Sequence, residues 1–66
     1  MYGFNTIVCG VHCKVIYAIY SDDIEWKLYD MNGKHAAKLE ALMDGFDCAV
    51  LERQCRDDLE RLKKRR

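Results

Sequence analysis

The feature that most constrains the fold is a change in the spacing of apolar residues at Asn32-Gly33. In the segment Ile24–Leu28, just before this pair, apolar and polar residues alternate, which is the two-residue period of a strand with one buried face. After the pair, apolar residues recur every three or four positions, which is the period of an amphipathic helix. The chain of 66 residues is therefore predicted to be a single α+β domain, with a sheet in residues 1–31 and helices in residues 33–64.

Residues 1–31 are predicted to form a three-stranded antiparallel meander. Val, Ile and Tyr dominate this part of the chain, and these residue types favour strands. Gly10-Val11 has the glycine-first pattern of a two-residue hairpin turn, which pairs Cys9 with His12. Ser21–Asp23 supplies the second turn. The predicted strands are 4–9, 12–20 and 24–30, and the alternative is one long strand bent at Gly10.

The helical half of the chain contains two apolar stripes. The first stripe comprises Ala36, Leu39, Leu42, Met43, Phe46 and Val50. The second stripe comprises Cys48, Leu51, Cys55, Leu59 and Leu62. At about 100° per residue the second stripe is rotated by roughly 160° from the first, so one straight helix cannot bury both against the same sheet.

A break in the helical half is predicted at Asp44–Asp47, where Gly45 ends the first helix and Asp47 begins the second. Asn32 is expected to cap the first helix by accepting a hydrogen bond from a backbone amide of its first turn. The predicted order is β-β-β-α-α, a meander followed by a helical hairpin. The alternative is one long C-terminal helix whose second half packs on another molecule.

No pattern of residues predicts catalysis, a cofactor or a small-molecule substrate, so we expect a protein that is not an enzyme. Cys9, His12 and Cys13 lie within five residues, but a tetrahedral zinc site needs four converging ligands. Cys48 and Cys55 are two helical turns apart, about 10 Å along the axis, which is too far to share one ion. A zinc site is therefore not predicted, although zinc binding by the first three residues stays open.

A membrane-spanning or secretory segment is not expected at the start of the chain. Residues 1–13 carry no formal charge, but Lys14 follows, and a lysine at the centre of a span costs roughly 2.5 to 3.5 kcal/mol. The basic residues and small-residue cleavage site of a signal peptide are not visible. We therefore expect a cytoplasmic protein whose four cysteines stay reduced.

Two apolar surfaces favour a role in protein binding. One is the sheet face turned away from the helices, and the other is a coiled-coil-like stripe on the last helix, for which packing on the chain's own sheet is the alternative. The residues predicted to contact a partner are Ile16, Tyr20 and Tyr29 on the sheet and Leu51, Cys55, Leu59 and Leu62 on the helix. The sequence thus predicts a small regulatory module that binds a larger protein or a second copy of itself as a homodimer.

The distribution of charge supplies an alternative function. Residues 1–51 carry seven acids and four bases, a net charge of −3, and residues 52–66 carry four acids and seven bases, a net charge of +3. A basic segment of this kind contacts phosphates in nucleic-acid-binding proteins. The alternative prediction is a small nucleic-acid-binding regulator that uses Arg61, Lys63, Lys64, Arg65 and Arg66.

Overall fold

The computed structural model describes residues 1–65 and contains three antiparallel strands followed by two helices. The elements are β1 (Tyr2–Val8), β2 (Val11–Tyr20), β3 (Asp23–Tyr29), α1 (Ala37–Leu42) and α2 (Gly45–Lys63). The strands lie in the order β1-β2-β3, so β2 is central and β1 and β3 are the two edges. This confirms the predicted α+β class and the β-β-β-α-α order, with two helices instead of one long helix.

The first hairpin turns one residue earlier than predicted. The turn is formed by Cys9-Gly10, whose φ angles are 50° and 78°, and positive φ at both central residues is the pattern of a type I′ turn. The prediction of a turn at Gly10-Val11 is therefore wrong. Each β1 residue faces a β2 residue two positions earlier than predicted. Because the shift is two residues, every side chain keeps the sheet face that the sequence predicts.

The core lies between one face of the sheet and the two helices. The face that packs against the helices is called the inner face. The buried apolar residues are Val8, Cys13, Val15, Tyr17 and Leu28 from the sheet, Leu39 from α1, and Leu51 and Cys55 from α2. The second apolar stripe thus contributes the helical half of the core. The first stripe is divided, because Leu39 is buried whereas Leu42 is 70% exposed and Phe46 is 75% exposed.

Two side-chain contacts show how α2 lies on the sheet. Near the hairpin turn, the Cys9 Sγ lies 3.8 Å from the Asp47 Oδ2. Farther along the helix, the Thr6 hydroxyl donates a hydrogen bond of 2.8 Å to the Gln54 Oε1. From the first contact to the second, the position on the sheet goes from the turn back along β1, whereas the position on α2 goes from near its start towards its end. The helix therefore runs antiparallel to β1.

A buried polar network joins the other half of α2 to the sheet. The Tyr17 hydroxyl donates a hydrogen bond of 2.5 Å to the Asp58 Oδ2, and the Arg61 guanidinium donates one of 2.9 Å to the Asp58 Oδ1. Asp58 is only 7% exposed, so its carboxylate needs these two hydrogen-bond donors to offset the loss of hydration. Desolvation, followed by the hydrogen bond to Asp58, raises the pKa of Tyr17 far above its usual value. The phenol therefore stays protonated and fixes the position of the helix on the sheet.

The two helices begin differently from the prediction. The first helix starts at Ala37, and its cap residue Ala36 makes no side-chain hydrogen bond, so the prediction that Asn32 caps it is wrong. The second helix starts at Gly45, so this glycine begins α2 instead of ending α1. Asp44 caps α2, since its side chain accepts from the Asp47 amide at 2.9 Å while the Asp47 carboxylate accepts from the Asp44 amide at 3.2 Å. This reciprocal capping box sets the break between the helices.

We expect Asp44→Ala to lower the free energy of unfolding by about 1 kcal/mol, because an amide in the first turn of α2 loses its acceptor. Urea denaturation followed by circular dichroism measures the change. Asn32→Ala is the matched control and is expected to stay within about 0.5 kcal/mol of wild type, because Asn32 does not cap a helix. Equal losses for the two variants would contradict this assignment of the cap.

Candidate protein-binding surface

The face of the sheet that points away from the helices is called the outer face. Both helices contribute their buried side chains to the inner face, so neither covers the outer one. Strand alternation and the observed register define its members. They are Gly3, Asn5 and Ile7 on β1, His12, Lys14, Ile16, Ala18 and Tyr20 on β2, and Asp23, Glu25, Lys27 and Tyr29 on β3.

The three sheet residues predicted to bind a partner share the outer face. Tyr20 is 57% exposed, whereas Ile16 and Tyr29 are half-buried. Each of the three pairs across strands with a charged residue: Tyr20 faces Asp23, Ile16 faces Lys27, and Tyr29 faces Lys14. Apolar contact area and charged groups are therefore interleaved on the outer face.

A glycine in β1 extends the apolar part of the outer face towards the β1 edge. A Cβ atom placed on Gly3 would lie 2.8 Å from the Ile16 Cδ1, so the Ile16 side chain lies across the glycine. Glycine in a strand often marks such a close approach. Ile7, also on β1, is 56% exposed. The outer face thus carries exposed or half-exposed isoleucine side chains close to the open edge of β1.

Two depressions border this surface. One of about 260 Å³ includes Ile16, Ala18, Lys27 and Tyr29 in its lining. The other, of about 590 Å³, includes Ile7 and His12. Within residues 1–65 no group of three or more His, Cys, Asp or Glu side chains is arranged to hold a metal ion. Both depressions are lined by a mixture of apolar and polar side chains.

The predicted surface on the last helix needs correction. Leu51 is 2% exposed and Cys55 is fully buried, so neither residue is accessible to a partner in this fold. Leu59 packs against the core, and Leu62 is partly exposed. The stripe resembles a coiled-coil seam because it packs on the chain's own sheet, which needs the same helical spacing of apolar residues.

The cysteine and histidine cluster near the first hairpin does not converge. Cys13 is buried on the inner face, His12 lies on the outer face, and Cys9 lies in the turn, so the predicted pairing of Cys9 with His12 is wrong. Desolvation, followed by the Asp47 carboxylate, raises the pKa of the Cys9 thiol. Desolvation also raises the pKa of Cys13. Both shifts disfavour the thiolate form that nucleophilic chemistry requires.

The predicted nucleic-acid-binding residues lie at and beyond the end of α2. The Arg61 guanidinium is paired with the Asp58 carboxylate. Lys63 is the last residue of α2, and Lys64 and Arg65 follow it at exposed positions. Arg66 lies outside the described residues. One of the five predicted phosphate contacts is thus already engaged within the fold.

The exposure of two apolar residues of α2 beside β1 was not predicted from the sequence. Phe46 and Val50 on α2 line a small depression together with Ile7 of β1. Phe46 is 75% exposed. These three residues are called the edge cluster. The helical spacing of Phe46 and Val50 suggested a core position. Their exposure results from the path of α2 along β1, which the spacing does not reveal.

Comparison of the chain with protein-family models, characterised proteins and solved structures finds no match. Among the described helices, none is both long and apolar enough to cross a membrane.

Proposed function

We propose that this chain is a small, non-enzymatic protein-binding module that contacts a larger partner protein through the outer face. The observation that carries the proposal is that Tyr20, 57% exposed, shares with Ile16 and Tyr29 a sheet face that neither helix covers. Tyrosine is enriched in protein interfaces because it combines a large apolar ring with a polar hydroxyl.

The charges around these side chains fit the same function. Interfaces commonly have an apolar centre and a polar rim that steers and orients the partner. Lys14 and Lys27 supply positive charge beside Tyr29 and Ile16, and Asp23 supplies negative charge beside Tyr20. A partner that covers the outer face thus removes apolar area from water while pairing with charges of both signs.

The proposed role is regulatory, with the module modulating its partner by occupying part of the partner's surface. The proposed setting is the cytoplasm. All four cysteines, Cys9, Cys13, Cys48 and Cys55, are free thiols, and thiols stay reduced in that compartment. Self-association as a homodimer is part of the proposal, because a domain of this size gains stability from such contacts.

We expect Tyr20→Ala combined with Tyr29→Ala to weaken partner binding by roughly 30-fold or more, because loss of aromatic contacts at an interface costs about 2 kcal/mol or more. The partner is first identified by native mass spectrometry of the untagged chain purified from the cells that express it. The dissociation constant is then measured by calorimetry with the purified partner.

Two controls make this binding experiment decisive. Leu42→Ala removes a side chain that is 70% exposed away from the outer face, and it is expected to leave binding unchanged. Tyr20→Ala alone tests the outer face without disturbing the contact between the rings of Tyr29 and His35, whose centroids are 6.1 Å apart. Unchanged affinity in a folded Tyr20→Ala and in the double variant would refute the proposal.

The alternative function, nucleic-acid binding, predicts a different result for the same purification. If the basic end is the functional surface, the chain co-purifies with nucleic acid that is released by raising the salt concentration. Removal of the residues after Leu62 then abolishes that retention. The pairing of Arg61 with Asp58 reduces the charge available for this role, which adds to the reasons for proposing protein binding.

A further inference from the structure

We propose that the open edge of β1 pairs with β1 of a second copy of the chain. The two strands run antiparallel about a twofold axis at Asn5 and join two three-stranded sheets into one of six strands. This inference rests on the self-association included in the proposed function and names the interface for it. It does not depend on the binding of a partner to the outer face, so either can fail without the other.

The backbone geometry of β1 leaves one set of hydrogen-bonding groups pointing outwards. The two-residue turn at Cys9-Gly10 makes Val8 and Val11 the closing pair of the hairpin. In such a turn the closing residues bond to each other, and bonded pairs alternate along an antiparallel ladder. The even-numbered residues of β1 therefore bond to β2. The amides and carbonyls of Gly3, Asn5 and Ile7 point to the side where β1 has no neighbouring strand.

The opposite edge of the sheet is protected. The Leu28 amide donates a hydrogen bond of 2.9 Å to the Glu40 Oε2, and the Leu28 carbonyl accepts one of 2.9 Å from the Ala36 amide. Charged side chains at Glu25 and Lys27 also discourage the approach of another strand. The segment that follows β3 thus bonds to the last part of this edge. The charged side chains make pairing with another strand unfavourable along the rest of it.

The edge at β1 has none of these protective features. The strand Tyr2–Val8 contains no charged residue and no proline, and its register with β2 continues without a bulge over all seven residues. Charges, prolines and bulges are the devices by which proteins prevent unwanted pairing at exposed edges. Their absence from an exposed edge of this length indicates that the edge is paired in the functional protein.

The outward groups of β1 complement those of an identical strand. A twofold axis at Asn5 places Asn5 opposite Asn5 of the second copy and Gly3 opposite Ile7. Each of these pairs exchanges two backbone hydrogen bonds, so every outward amide and carbonyl is satisfied. No like charges meet across the axis, because the strand has no charge.

The side chains at this edge also fit a second copy. Half-buried Ile16 lies across Gly3 from the β2 side, and Ile7 of the second copy is placed opposite Gly3 from the other side. Because Gly3 has no side chain, the two isoleucine side chains meet over it on the outer face.

The helices supply a second layer of contact. Because α2 bonds to Thr6 of β1 and Tyr17 of β2, it lies over these two strands. Its copy then lies about two strand spacings away, about 10 Å, which is the normal distance between packed helices. Phe46 and Val50, the exposed helical members of the edge cluster, lie on the β1 side of α2. Dimer formation covers them.

The same arrangement places the two copies of α2 side by side. The hydrogen bond between Thr6 and Gln54 places Gln54 close to the level of the twofold axis, and the two copies of α2 run antiparallel. Self-complementarity of strand and helix together identifies the occupant of the edge as a second copy.

The test is the mass of the untagged chain by sedimentation equilibrium. Wild type is expected to have twice the 7.8 kDa mass of one chain. Asn5→Pro removes an amide that points out of the sheet, a position where an edge strand tolerates proline, and is expected to halve the mass while the circular dichroism spectrum is retained. Asn5→Thr keeps the amide and is the matched control, expected to remain a dimer.

A second pair of variants keeps the backbone intact and decides the question if Asn5→Pro does not fold. Ile7→Lys places a charge at the β1 edge and is expected to give a monomer. Tyr20→Lys places the same charge on an equally exposed outer-face residue away from that edge, and it is expected to remain a dimer. Tyr20→Lys is also expected to lose partner binding, so failure of the dimer and failure of the proposed function are distinguishable.

Three results would overturn the inference. A wild-type mass of 7.8 kDa at the highest soluble concentration would show that the edge does not pair with itself. A dimer that persists in folded Ile7→Lys or Asn5→Pro would place the interface elsewhere. A strand from a different protein on β1, detected as protection of the Asn5 and Ile7 amides from exchange only when that protein is present, would assign the edge to another occupant.

Discussion

Leu51→Ala is expected to lower the free energy of unfolding by about 2 to 5 kcal/mol, because it leaves a cavity in the core. Leu51 is 2% exposed and lies in the core between α2 and the sheet. A domain of this size has a total stability of roughly 3 to 10 kcal/mol. The loss is therefore expected to be a large part of the total stability. Urea denaturation at several protein concentrations measures the loss.

Leu42→Ala is the matched control for this experiment. It makes the same chemical change on α1, but Leu42 is 70% exposed, so the loss is expected to stay within about 0.5 kcal/mol. The contrast tests which apolar stripe forms the core. A larger loss for Leu42→Ala than for Leu51→Ala would mean that the two stripes have been assigned to the wrong sides.

Tyr17→Phe is expected to cost about 1 to 3 kcal/mol of stability, because it leaves the buried Asp58 carboxylate without one of its two donors. Arg61, which remains, is itself largely exposed. Tyr20→Phe removes a hydroxyl from an exposed ring and is the control, with an expected change below about 0.5 kcal/mol. Thermal or urea unfolding of the two variants gives the comparison.

A double variant separates the hydrogen bond from other effects at this site. Tyr17→Phe combined with Asp58→Leu removes both partners, and replacing both with apolar groups costs less than leaving one unpaired. The double variant is therefore expected to be more stable than the sum of the two single losses predicts. Additive losses would show that Tyr17 and Asp58 act independently, in contradiction to the network.

Much of the fold follows from the spacing of apolar residues. The change from a two-residue to a 3.6-residue period at Asn32-Gly33 gives the correct order of strands and helices. The turn position does not follow, because Gly10 suits either of two adjacent turns and the packing of the whole sheet selects between them. The start of α1 is also missed. Asp30 accepts hydrogen bonds from the Asn32 and Lys34 amides, and this turn delays the helix until Ala37.

The candidate surface is predictable only in part. The positions of Ile16, Tyr20 and Tyr29 on the outer face follow from strand alternation, which survives a shift of two residues in register. The burial of Leu51 and Cys55 does not follow, because periodicity shows that a helix has an apolar stripe but not what covers it. The edge cluster does not follow from the sequence either, because it depends on the path of α2 along β1.

The most direct test of the central claim, that the chain works through protein contacts at the outer face, is its native mass when purified untagged from the cells that express it. We expect an assembly that contains a partner protein, and we expect that folded Tyr20→Ala no longer carries that partner. A wild-type chain that emerges alone, with the 7.8 kDa mass of a single copy, would contradict the claim.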